Sequence, residues 1–285
     1  MAGGNSNKMR ELTHKRAVAA MPIAGSYRCI DFALSNMTNS HVQKVAVLTQ
    51  YNSRSLNEHL NSSKWWNFGR KQGGLYVFTP TITNDNGYWY RGTADAIHQN
   101  LDFLKKCHEP YVIIASADAV YKLDYNEVLK YHIKKNADIT VVCKDLEEGD
   151  DPSRFGTIKM NEEYRIEEFE EKPMMAKSHT ISTGIYIIRR RQLIDLIERC
   201  AEEDRHDFVT DILIRYKNLK KIYGYKLKNY WSNIATVDAY YKTNMDFLKE
   251  ENRNYFFNQL PRVYSKVADL PPAKYNPGSV VKNSL

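Results

Sequence analysis

The sequence predicts an α/β fold in which helices cover both faces of a mostly parallel sheet and a β-rich lobe follows. Three observations predict it. Apolar runs of strand length alternate with stretches of helical period through residues 42–146, and strand-like stretches crowd together from about Phe155 until helical period returns near Arg191. A chain of 285 residues can also bury the core such a fold needs without disulfide staples.

In chain order, "MAGGNSNKMRELTHKR" opens with a tight turn that Gly3 and Gly4 permit. Ser6 and Asn7 then stand where a phosphate-cradling loop usually keeps glycine, so that its backbone can approach the anion. "VQKVAVLTQY" (42–51) reads as a strand and "SRSLNEHLNSS" as the helix after it. "TADAIHQNLDFLKKC" (93–107) reads as one helix capped by Thr93, with Ala96, Leu101 and Leu104 on its apolar stripe. "YVIIASAD" (111–118) is the next strand, and "YNEVLKYHIKKNA" with "DITVVCKDL" (138–146) repeats the helix–strand pair. "FGTIKMN", "YRIEEFEEKP" and "TISTGIYIIRR" are successive strands of the β-rich lobe. Beyond about Glu250 the apolar period weakens into the proline-containing "LPPAKYNPGSVVKNSL", so residues 1–250 read as the domain and 251–285 as a linker.

Lys and Arg exceed Asp and Glu by 41 to 34, a net charge of +7. That balance favours anionic partners such as nucleotides, sugar phosphates or nucleic acid without choosing among them, and a merely solvated basic surface gives the same count. Cys29, Cys107, Cys143 and Cys200 form no CxxC pair and have no histidine at metal-ligand spacing, so they read as small apolar residues in a reduced compartment. No long apolar run or cleavage signal is present, which predicts a soluble, cytoplasmic protein without a membrane partner.

In open parallel sheets, ligands sit beyond the carboxyl ends of the strands. Asp118 follows the apolar run 111–115 and should project into that crevice, although a carboxylate capping the turn in "DAVYKLDY" accounts for the same residue.

Seven separated segments decide between these readings: "AGGNSNKMRELTHKRAVAAMPIAGSYRCIDFALSNMTNS", "VLTQYNSRSLNEHL", "YWYRGTADAIHQN", "EEFEEKP", "STGIYII", "HDFVTDIL" and "YWSNIATVDAYYKTNMDFL". In this order they resemble the glucose-1-phosphate adenylyltransferases, the ADP-glucose pyrophosphorylases of bacterial glycogen and plant starch synthesis. The resemblance implies a Rossmann-like nucleotide-diphospho-sugar transferase fold with a β-rich sugar-binding lobe. ATP and glucose 1-phosphate would meet in its crevice, the sugar phosphate oxygen attacking the α-phosphorus while pyrophosphate leaves with the help of Mg²⁺. It further implies that Lys172 contacts the sugar phosphate and Glu171 a glucose hydroxyl, where the plainer alternative is a surface ion pair. Ser182 and Gly184 would line the sugar pocket, and Gly3, Gly4, Gln50, Gly92 and Thr93 would face the nucleotide.

The catalytic positions depart from the family pattern. Ser6 replaces a glycine, Lys8 an arginine and Val18 a lysine, so a planar phosphate fork and one full charge are lost. Where the family holds Mg²⁺ between two aspartates, "SADAVYK" keeps Asp118 and "YWSNIATVD" offers Asn233. Lys8 and Asp118 are then the catalytic candidates left, Asp118 is the single metal ligand, and a neutral amide in place of the second anion weakens Mg²⁺. This pattern is similar to the usually non-catalytic regulatory subunit that accompanies a catalytic paralogue in a hetero-oligomer, with Mg²⁺ as cofactor only if activity is retained. The family also has an apolar strand before the Gly-Gly turn, where only Met1 and Ala2 stand here, and a left-handed β-helix domain beyond the region matched by this chain. Two other readings compete. One is a working adenylyltransferase with a relaxed site; the other is a nucleic-acid-binding protein using the net charge and Trp65, Trp66, Tyr88 and Trp89 near "KWWNFGRK".

Overall fold

A computed structural model of the chain describes residues 1–4, 6–69, 73–81, 87, 89–147, 149–267, 271 and 274–282. Tyr88, Arg70 and Lys71, invoked for the nucleic-acid reading, lie outside them.

The first half contains β1 (Pro22–Ile23), β2 (Tyr27–Arg28), α1 (Cys29–Asn39), β3 (Lys44–Leu48), α2 (Arg54–Leu60), β4 (Gly74–Phe78), α3 (Thr93–His98), α4 (Leu101–Lys105), β5 (Tyr111–Ala115) and β6 (Ala119–Tyr121). Next come α5 (Tyr125–Lys134), β7 (Ile139–Asp145), β8 (Gly156–Met160), β9 (Ile166–Glu171), β10 (Thr180–Arg189) and α6 (Arg190–Glu202). The chain continues through a π-helical segment (Val209–Ile214), β11 (Ile222–Lys226), β12 (Trp231–Asn233), α7 (Val237–Asp246) and α8 (Glu250–Arg253).

The α/β expectation holds, but the sheets are mixed where a mostly parallel one is expected from the sequence. The largest sheet runs β11-β7-β10-β8-β9, with β5 also on β10. Only β11–β7 is parallel in it, while β10 opposes β5, β7 and β8. The reason lies in the lobe's short links: β8 and β9, separated by residues 161–165, can pair only antiparallel, since a parallel link needs a crossover of a dozen residues or so. β3 and β4 pair in parallel as a separate two-stranded sheet.

Helices cover both faces of the large sheet. α6 buries Leu193, Leu196, Ile197 and Cys200 at helical spacing, and α5 buries Tyr125, Val128 and His132. All four cysteines are buried and unpaired. The expected helix 93–107 divides into α3 and α4 because the Asn100 side chain bonds back to the Ala96 carbonyl at 2.9 Å and to the Tyr90 hydroxyl at 2.9 Å. Gly92, rather than Thr93, is its N-cap residue.

β3 and β5 are not bonded to each other. Met1 and Ala2 bridge them: the Met1 nitrogen donates to Ala115 O at 2.8 Å and Ala2 N to Leu48 O at 2.9 Å. An apolar cleft of about 410 Å³, lined by Val45, Ala46, Ile97, Ile113 and Ile114 among others, continues from that bridge.

The segment after Glu250 is more than a linker. Phe256 is fully buried with Phe32 and Phe247, and Lys122 donates to the carbonyls of Tyr255 and Gln259. Further on, Tyr264 N donates to Ser35 Oγ at 2.8 Å and Ser265 Oγ to the buried Asp31 at 2.6 Å. Aromatic residues spaced too closely for a helical stripe, "YFF", supply the burial that periodicity alone does not register.

Candidate functional site

A crevice of about 640 Å³ opens where the N-terminal loop, the β5–β6 turn, β10 and the end of β12 converge. Lys8, Asp118, Glu171, Lys172, Ser182, Gly184 and Asn233 line it together with Gly4, Ser6 and Val18.

The N-terminal loop is held across the crevice by its serine. Ser6 Oγ donates to Ala235 O at 2.5 Å, a side-chain bond that glycine at this position could not make. Lys8 follows in a short 3-10 segment (Asn7–Thr13). Val18 is 5% exposed and packs with Met9, Ile23, Phe32, Val120 and Ile234, a setting in which an ammonium would be costly.

Asp118 stands in the turn leaving β5. Its Oδ1 accepts from Ser116 Oγ at 2.5 Å, and its carbonyl accepts from Ile234 N at 2.9 Å, which sets Asn233 beside it across the β12–β6 pairing. Asn233 Oδ1 accepts from Ala235 N at 3.0 Å and from Arg154 Nη2 at 3.5 Å. One carboxylate already bonded to a serine, one amide whose oxygen faces two donors and a neighbouring guanidinium make a poorer Mg²⁺ site than two carboxylates would. Mg²⁺ is held by hard oxygen donors, usually one or two carboxylates together with substrate phosphates and waters, and a nearby guanidinium competes with it for the same oxygens. Among the described residues no group of three or more His, Cys, Asp or Glu could hold a metal ion.

The sugar-side residues come from the lobe. Glu171 lies opposite Gly156 in the β8–β9 register, and a Cβ on Gly156 would fall 2.9 Å from the Glu171 carboxylate, so the glycine gives that side chain its room. Lys172 Nζ sits 3.2 Å from Glu171 Oε1 with most of its side chain exposed, so the ion pair and the crevice position coexist. In β10 the pairing with β7 shifts between Ser182 and Tyr186, and Gly184 takes φ +74° there. The bulge brings Gly184 O onto Ser116 N at 3.0 Å, joining the lobe to the Asp118 turn.

The other expected nucleotide residues are engaged away from this cavity. Gln50 Oε1 accepts from Tyr90 N at 2.7 Å and its Nε2 donates to Tyr90 O at 3.4 Å. A Cβ on Gly92 would strike the His206 carbonyl. Thr93 Oγ1 accepts from Phe208 N at 2.8 Å, and Gly3 packs on the Gln50 backbone. Trp66 is fully buried and Trp65 packs against the same core cluster, while Trp89 stacks on Tyr51 with ring centroids 5.8 Å apart.

Sequence reasoning missed Arg154, Ser116, Tyr186 and Trp231, all of which line the crevice. Tyr186 could have been found, because Ser182, Gly184 and Tyr186 alternate along one strand. Its phenol lies 3.3 Å from Ser182 Oγ, and burial pushes its pKa up, so it stays a neutral hydrogen-bonding group. The Trp231 indole nitrogen is buried without a protein acceptor among the described residues. Arg154 carried a weaker signal: Asp151 accepts from Ser153 N at 2.9 Å, the "DPS" cap that fixes the turn (Pro152–Arg154).

Such a crevice, with cations and strand-end carboxylates around a cavity of metabolite size, is that of a nucleotide-handling α/β protein. The nucleotidyl transferase family model matches residues 1–250. The whole chain is similar to glucose-1-phosphate adenylyltransferases. It is 38% identical to that of Clostridium novyi (strain NT), covering 75% of it, 37% to that of Geobacillus stearothermophilus, covering 74%, and 36% to that of Thermosipho melanesiensis, covering 69%. The chain belongs to the glucose-1-phosphate adenylyltransferase family of nucleotidyl transferases.

Proposed function

We propose that the chain is a regulatory subunit of a glucose-1-phosphate adenylyltransferase in glycogen biosynthesis. On this reading it turns over weakly or not at all and modulates a catalytic paralogue in a cytoplasmic hetero-oligomer. The observation that carries the reading is Asn233: it stands where the family resemblance implies the second metal-binding carboxylate, and its amide oxygen faces Ala235 N and Arg154. Ser6 and Val18 support it, since each serves packing or a loop tie at a position where the family resemblance implies phosphate chemistry. Exposed apolar side chains, with Met174 at 100% and Met175 at 86% just beyond Lys172, suit contact with another subunit. Among the described residues no helix is long and apolar enough to cross a membrane.

The competing reading is a catalytically competent adenylyltransferase with a relaxed site, which the clustering of Asp118, Glu171 and Lys172 in one crevice favours. One experiment separates the two: ADP-glucose formation from ATP, glucose 1-phosphate and Mg²⁺ by this chain, by a catalytic paralogue, and by the mixture, with size-exclusion and light scattering on the mixture. A regulatory subunit co-elutes with the paralogue and changes its kinetics. A competent enzyme matches the paralogue's rate alone. Separate elution with unchanged activity defeats the regulatory reading.

A further inference from the structure

We propose that Arg154 takes the place of the divalent cation in this crevice, so that a phosphate-bearing sugar or nucleotide binds there without metal. The inference rests on the regulatory reading and names the binding chemistry that reading leaves open.

The charges in the crevice are arranged for an anion. Lys8, Arg154 and Lys172 line it against Asp118 and Glu171, and among the described residues neither Lys8 nor Arg154 has a carboxylate within salt-bridge distance. Lys172 spends its charge in part on Glu171. Arg154 is the better-placed of the other two, each of which feels the exposed Asp151 carboxylate without closing an ion pair on it. Its turn is capped by Asp151, its guanidinium rests on the Phe155 ring 5.3 Å from the centroid, and Nη2 reaches Asn233 Oδ1 at 3.5 Å beside Asp118.

A guanidinium held by an aromatic face and an amide offers two parallel N–H donors, the geometry that fits two oxygens of a phosphate. It is charged at every physiological pH, so it needs no metal ion to neutralise the ligand. The same guanidinium repels a divalent cation from the Asp118–Asn233 gap. Asn233 fits this role better than aspartate, since a carboxylate there would close an ion pair with Arg154 and remove it from the ligand. The neutral Tyr186 hydroxyl adds an uncharged donor to the same cavity.

Calorimetry on the whole chain tests this, using glucose 1-phosphate, ATP and inorganic phosphate as separate probes, each with excess EDTA and again with excess Mg²⁺. At least one organic phosphate should bind with an affinity unchanged by the metal, and the sugar phosphate and ATP arms tell the two sources apart. Arg154→Gln should weaken that binding by on the order of tenfold to a hundredfold, with Arg154→Lys retaining part of it. Denaturation midpoints of both variants confirm that they are folded. Binding that requires Mg²⁺, binding unchanged in Arg154→Gln, or no binding by any probe overturns the proposal. Turnover at the rate of a catalytic paralogue defeats the regulatory reading, and metal-dependent binding without turnover defeats only this inference.

Discussion

Gln50 grips the backbone of Tyr90 with both halves of its amide, accepting from Tyr90 N at 2.7 Å and donating to Tyr90 O at 3.4 Å. The pair ties the end of β3 to the start of α3, with the exposed Tyr51–Trp89 stack next to it. Gln50→Ala leaves a backbone N–H without its acceptor and should lower stability by about 1–2 kcal/mol. Urea denaturation followed by tryptophan fluorescence reads it, and an unchanged midpoint refutes the pairing.

Gly184 holds φ +74° beside Ser116, where an added Cβ would come within 3.1 Å of the Ser116 Cβ. Gly184→Ala should cost about 1–3 kcal/mol in stability. It should also weaken glucose 1-phosphate binding, because the bulge carries the contact between the lobe and the Asp118 turn. Calorimetry and thermal denaturation on the same variant separate the two effects.

His132 is buried, with Nδ1 on Thr140 Oγ1 at 2.8 Å and Nε2 unpartnered among the described residues. Burial first, and then the positive charge of Arg189, lower its pKa from 6.5 to about 4, against a smaller raising effect of Asp138. Between those two values the unfolded chain holds the extra proton, so this residue's contribution is complete above pH 6.5 and is lost as pH falls toward 4. The difference in unfolding free energy between wild type and His132→Phe should shift by on the order of 3 kcal/mol against the wild type across that window. A pH-independent difference overturns the assignment.

Phe256 is fully buried between Phe32, Phe247 and Tyr230. Phe256→Ala should cost about 3–5 kcal/mol by leaving a cavity. If residues 251–266 were only a linker, limited proteolysis would cut there in the wild type; the packing predicts protection that the variant loses.

The regulatory reading makes its own genetic prediction. Asn233→Asp together with Ser6→Gly and Lys8→Arg should raise ADP-glucose formation above that of the unaltered chain, measured with ATP, glucose 1-phosphate and Mg²⁺. An unaltered chain already as fast as a catalytic paralogue contradicts it.

Much of the fold was legible because strands leave local marks. "YVIIASAD", "DITVVCKDL" and "TISTGIYIIRR" match β5, β7 and β10 within a few residues, since apolar runs of that length bounded by polar turns fit little else. Strand direction was not legible, because it depends on which strands become neighbours, and β10 meets β5 across a separation that no local pattern records. In the site, Asp118, Glu171 and Asn233 could be read because motifs carried them. Arg154 was legible only as the end of a capped turn, since its importance comes from Asn233 on β12. The partner of Gln50 was hidden for the opposite reason: an amide at a strand end looks free in sequence, and only the fold supplies Tyr90.

Ser6 and Ala235, joined by a hydrogen bond across the mouth of the crevice, are 229 positions apart in the chain. On the ribosome, the loop bearing Lys8 emerges 229 positions before the carbonyl that anchors it. Closing so long a loop carries an entropic cost that a single hydrogen bond does not offset, so the tie depends on the sheet that frames it. The crevice therefore depends on both ends of that loop: a chain that stops before residue 235 lacks the tie that spans its mouth.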